Sequence, residues 1–130
     1  MRLTLTAYAT VIALAATPAS AFISQNGLVV QPEGPDSFFV PWRGRGGPSD
    51  FWCAAGDYAI RVLKLNPTQM IYRASEPPRR AGEGIRFTLR SDAAASSTGL
   101  AVLGATGAGI TAGHALGLCE FRRKLRERRR

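Results

Sequence analysis

Three side chains in this sequence could do thiol or imidazole chemistry: Cys53, Cys119 and His114, the only cysteines and the only histidine. A nucleophile–base pair between Cys119 and His114 needs both on one helical face, and five residues of helix set them about 140° apart. As metal ligands the three are too few for a closed tetrahedral site, and they lack the usual paired spacing. A second candidate runs from Val102 to Ala112, where apolar residues lead into Gly107-Ala108-Gly109-Ile110-Thr111-Ala112, the Gly-x-Gly-x-x-Ala pattern of a dinucleotide fingerprint. The chain ends too soon after it for a second βαβ unit, and no acidic residue sits on a following strand to hold a ribose. The stretch therefore reads as a Gly-rich connection, His114 as a core or interfacial residue, and no cofactor or metal is expected. With no Gly-x-Ser-x-Gly elbow, acid–base chemistry would fall to carboxylates. Asp50 and Asp57 read as capping and ion-pairing residues, while Glu76 and Glu83 lie in a Pro/Gly-rich turn. A small exported hydrolase using carboxylates is one alternative; it requires two acids converging in a cleft.

The cysteines take their meaning from the N-terminus. Met1-Arg2 is a short basic start, Leu3 to Ala16 is uncharged, Pro18 breaks the run, and Ala19-Ser20-Ala21 is a small-x-small site. This is the pattern of a secretory signal peptide cleaved near Ala21, and the apolar run is shorter than the roughly 20 residues of a stable anchor. Phe22 after the site excludes lipid attachment there. Export implies a periplasmic or secreted protein, and in an oxidising compartment an even pair of cysteines is most simply a disulfide. Closing the 66-residue loop between Cys53 and Cys119 would add about 4 kcal/mol of stability on the chain-entropy model.

Charge is unevenly placed. The chain has a formal charge of +8, yet Arg122, Arg123, Lys124, Arg126, Arg128, Arg129 and Arg130 crowd its end against Glu127 alone, and residues 22–121 carry nine basic and eight acidic groups. A nucleic-acid-binding surface would spread its cations over one face of the domain, so nucleic acid is not an expected partner. The tail residues are instead candidate contacts for anionic lipid or polysaccharide. Arg43-Gly44-Arg45-Gly46-Gly47 reads as a surface loop, and Arg79-Arg80 beside Pro77-Pro78 as a candidate recognition loop for an acidic partner. Residues 93–119 carry no formal charge and precede the basic tail, which is also how an anchor with a positive-inside flank looks. A single-pass inner-membrane protein with its helix near 97–119 and a cytoplasmic basic tail is the second alternative.

The elements that must position these residues follow from periodicity. Gly27–Gln31 and Ser37–Val40 read as strands of a hairpin around Pro32–Asp36. Ser49 or Asp50 can cap a helix running to Lys64 and stopped by Asn66-Pro67. Ala55, Tyr58, Val62 and Leu65 fall within about 40° of Phe51 on its wheel. Asp50, Asp57, Arg61 and Lys64 share the narrow opposite side, with Asp57 four before Arg61 for an ion pair. Cys53 lies at the edge of the apolar arc. Gln69–Arg73 is a strand. In Ile85–Arg90, Ile85, Phe87 and Leu89 face the core, and Arg86, Thr88 and Arg90 face water. Leu100–Leu103 is a short strand. Thr111 caps a last helix, residues 112–126, with His114, Leu118, Phe121 and Leu125 on one face.

Three stretches (Phe22–Val30, Asp50–Tyr58 and Ser75–Gly84) together resemble uncharacterised small exported proteins of alphaproteobacteria. That resemblance implies a periplasmic home and a soluble fold holding both cysteines, and it brings no activity. The expectation is a single α+β domain at 22–121 between a signal peptide at 1–21 and a basic tail at 122–130. Its mainly antiparallel sheet of four or five strands is covered by two helices joined through Cys53–Cys119. The function expected is that of a non-enzymatic periplasmic interaction domain whose partner is an unidentified protein or envelope component.

Overall fold

The computed structural model describes residues 3–12 and 21–130, apart from the side chain of Arg122. Met1, Arg2 and residues 13–20, which hold the basic start and most of the expected cleavage site, lie outside the described residues.

An α+β fold is built on an antiparallel sheet with the order β1-β2-β3-β5-β4-β6. The strands are β1 (Phe22–Ile23), β2 (Val29–Pro32), β3 (Ser37–Val40), β4 (Met70–Arg73), β5 (Ile85–Thr88) and β6 (Gly109–Thr111), with helices α1 (Pro48–Arg61) and α2 (Ala112–Arg128). Alternation gives the sheet one buried face, where Phe38, Val40, Ile85, Phe87, Ile71 and Ile110 lie at 0–1% exposure. Phe51, Trp52 and Tyr58 of α1 fill it. Phe38 packs on the Tyr58 ring at 4.8 Å and Phe87 meets Trp52 edge-on at 4.9 Å between centroids. α2 then packs along α1.

α1 begins two or three residues earlier than expected. Gly47 is the N-cap, Pro48 fills the first helical position, where a missing N–H costs nothing, and the Asp50 carboxylate accepts from Gly47 N–H at 2.7 Å. It stops at Arg61, and the chain turns away through Lys64 in a left-handed conformation (φ 56°). Phe51 to Ala59 are all buried, because one side of α1 meets the sheet and the other meets α2. A methyl at Gly56 would fall on the Leu116 backbone nitrogen and within 2.8 Å of Ala115, so glycine is what lets the helices approach closely. There Cys53 and Cys119 are joined, with Cα atoms 4.9 Å apart.

Several expectations are corrected. Among the described residues the sheet has six strands; the two-residue β1 is too short to show in the sequence pattern, and Leu100–Leu103 is not a strand. Leu100 and Val102 pack against the core from an irregular segment, and the Trp52 indole N–H reaches the Thr98 carbonyl at 3.1 Å. The edge of β4 is occupied by β6, whose Gly109 came from the stretch read as a connection. A Cβ there would lie 2.6 Å from the Tyr72 ring, so packing on Tyr72 selects a residue of poor strand propensity. Thr88 is buried rather than solvated, its hydroxyl accepting from Arg90 N–H at 3.1 Å. Asp57, placed on the polar side of α1, is 1% exposed. On α2 the buried residues are Ala112 and Ala115, while Phe121 and Leu125 are exposed: small residues and the disulfide draw a different side of the helix onto α1.

Candidate functional site

The α1–α2 crosslink sits at the base of a cleft. α2 continues to Arg128 as helix, so the expected basic tail is mostly a helical extension past the core, with every described side chain from Glu120 onward exposed. Cys119, Arg123 and Arg126 fall within about 60° on the helix. The disulfide pins that side toward α1, so Arg123 and Arg126, with Arg130 beyond them, line a cleft of about 360 Å³ over Gln25, Asn26 and the disulfide itself. It adjoins a wider hollow of about 610 Å³, lined also by Arg126 and, away from α2, by Arg45 and Gly46. Three arginines thus line the cleft beside Asp50 and Glu127, and Arg45 joins Arg126 and Asp50 in lining the adjoining hollow. Lys124, Arg128 and Arg129 are exposed outside that lining, and the side chain of Arg122 lies outside the described residues.

The floor is a hydrogen-bonded turn. Gly27 N–H donates to the Ser24 carbonyl and Ser24 N–H to the Leu28 carbonyl, both at 2.8 Å, with Gly27 left-handed at φ 83°. A Cβ on Gly27 would come within 2.7 Å of Arg45 Nη2, so the absent side chain makes room for that guanidinium. Asn26 ties the turn to α1 by donating to the Asp50 carbonyl at 2.8 Å. Beneath, the buried Asp57 carboxylate accepts from Ser24 Oγ (3.0 Å), Gln25 N–H (2.9 Å) and Arg61 Nε and Nη2 (2.5 and 2.7 Å). Burial pushes the Asp57 carboxyl up, but Arg61, Gln25 N–H and Ser24 together outweigh it and hold it below the usual carboxylate range. The predicted Asp57–Arg61 pair is present, and it also fixes the turn.

The Arg79-Arg80 loop divides its cations. Arg79 lies over the Trp42 ring at 4.5 Å and the Phe51 ring at 5.2 Å, and donates to the Glu83 carbonyl at 2.9 Å, while Arg80 is exposed. Nearby, Arg73 is 2% exposed and donates from Nε to the Ser75 carbonyl at 2.7 Å. Burial and the neighbouring Arg79 charge both lower its pKa. Sequence reasoning gave no hint of this buried arginine.

The carboxylates weighed for hydrolysis are held at separate places. Asp50 serves the helix cap, Asp57 the buried network, Glu76 takes Ser96 N–H and Oγ at 2.8 and 2.6 Å, and Glu83 takes Arg80 N–H at 3.4 Å. Half-buried His114 gives its backbone N–H to the Thr111 hydroxyl at 3.1 Å, the expected cap. Among the described residues no group of three or more His, Cys, Asp or Glu is arranged to hold a metal. The segment near 97–119, weighed as an anchor, comprises loop, β6 and the first half of α2. No helix of the described residues is long and apolar enough to cross a membrane.

No family model, curated protein or solved structure matches this chain.

Sequence reasoning kept Arg45 and the C-terminal cations apart, and it did not single out Gln25 or Asn26. One signal was present. Counted from Cys119, the arginines at 123, 126 and 130 follow helical spacing, so a disulfide at 119 implies one cationic face toward whatever Cys53 belongs to.

Proposed function

We infer that this protein is a non-enzymatic binding domain of the cell envelope, and that its cleft receives an anionic group, sulfate, phosphate or carboxylate, of an acidic polysaccharide. The observation that carries this reading is that Arg123, Arg126 and Arg130 line one cleft, while Arg45 lines the adjoining hollow that shares Arg126 with it. Guanidinium groups present paired N–H donors that match oxyanions, and a partly enclosed site screens them less than an open surface. The leader-like N-terminus and the disulfide support an exported home. The chemistry on offer is recognition: Asn26 and Asp57 at the floor are already engaged in holding the turn.

Titration of the purified chain with dextran sulfate tests the reading. Saturable binding that weakens steeply from 50 to 300 mM salt, and that falls at least tenfold in Arg123→Ala/Arg126→Ala, is the expected result. Equal binding by that variant would refute the cleft as the site.

A further inference from the structure

The projecting end of α2 carries a second row of residues that the cleft does not use. Phe121 and Leu125 are four apart, about 40° from one another on the helix and roughly 150° from the Cys119–Arg123–Arg126 row. They are 62% and 43% exposed. Lys124 and Arg128 border this pair on one side and Arg129 on the other, all exposed. An apolar stripe bordered by cations on both flanks is the pattern of a helix that lies in the headgroup layer of a bilayer. There the ring and the branched chain reach the acyl boundary, and the cationic heads extend to lipid phosphates. Charge complementarity selects the occupant. A second copy of this chain would bring Lys124, Arg128 and Arg129 against their equivalents, and like charges oppose that pairing. A water-soluble polyanion would leave Phe121 and Leu125 in water.

We propose that this outer face of α2 docks in the plane of an anionic bilayer surface, with Phe121 and Leu125 inserted. The proposal does not rest on the cleft reading, because it uses a different side of the helix.

The test uses the full chain and vesicles of phosphatidylcholine with or without 30% phosphatidylglycerol. Phe121→Trp should show emission that is quenched by brominated acyl chains in the anionic vesicles, beyond the quenching of the parent chain, and not in phosphatidylcholine alone. Phe121→Ser/Leu125→Ser removes only exposed apolar groups. It should lower anionic-vesicle binding at least tenfold while dextran sulfate binding and the disulfide stay intact. Vesicle binding unchanged in the serine variant overturns the proposal, as does the absence of extra quenching in Phe121→Trp. Loss of vesicle binding in Arg123→Ala/Arg126→Ala alone also overturns it, while leaving the cleft reading standing. Concentration-dependent self-association of the parent that the serine variant abolishes assigns the face to a second copy instead.

Discussion

The two halves of α2 are one continuous helix built for opposite surroundings. From Ala112 to Cys119 small residues lie against α1, two of them fully buried, and the segment is closed by a covalent bond. From Glu120 to Arg128 every described side chain is exposed. The first half owes its position to packing, in which close helix approach requires the absence of a side chain at Gly56. The second half takes its direction from the first, since a helix already nucleated continues at small cost per residue through good helix formers such as Arg, Lys, Leu and Glu. A buried anchor can therefore aim an exposed, highly charged surface that has no packing of its own.

If that division holds, substitutions in the two halves should differ sharply. The largest effect is expected from Cys53→Ser/Cys119→Ser, which should lose about 4 kcal/mol of unfolding free energy in a denaturant titration; a change below 1 kcal/mol would mean that packing alone holds α2. Next is Asp57→Asn, expected to cost about 1–3 kcal/mol because Ser24, Gln25 and Arg61 lose a charged acceptor. The same carboxyl gives a pH signature. Its folded pKa lies below the ordinary value of 3.8. Its stabilisation is therefore complete above about pH 5 and disappears as pH falls through the folded value. Chemical denaturation at pH 6 and pH 3 should show this loss in the parent and a smaller one in Asp57→Asn. Gly56→Ala should cost about 1–3 kcal/mol through overlap with Ala115 and Leu116. By contrast Gly117→Ala, with open space around the added methyl, should gain up to about 1 kcal/mol from helix propensity. Thermal melts of this pair separate the packed side of the helix from its free side. The smallest effect is expected from deleting residues 122–130, which should change unfolding free energy by less than about 0.5 kcal/mol while removing binding to both dextran sulfate and anionic vesicles.

What could be read from the sequence was whatever a single element declares. The alternation of Ile85 and Phe87, the apolar arc of α1 with its Asn66-Pro67 stop, and the even pair of cysteines are local or compositional signals. The structure bears out the α+β class, both helices and the disulfide. What could not be read depends on which elements meet. β6 is a strand because β4 has an open edge and Tyr72 leaves room only for glycine, neither of which Gly109-Ile110-Thr111 discloses. The helical angle of Asp57 places it on the polar side with Arg61 and says nothing of its burial, which depends on the β1–β2 turn, 32 residues away along the chain. The cleft was hidden for the same reason, since Arg45 and Arg126 come together only after the sheet, α1 and the crosslink have formed.

Because the crosslink fixes one point on α2, everything after it is governed by angular phase. A single alanine inserted between Cys119 and Arg123 would turn the following arginines by about 100° and carry them off the cleft. Four inserted alanines would turn them by about 40° net, back toward their starting side but one turn farther out. Composition, net charge and helix content would hardly differ between two such chains, yet only the longer insertion would keep its cations facing inward.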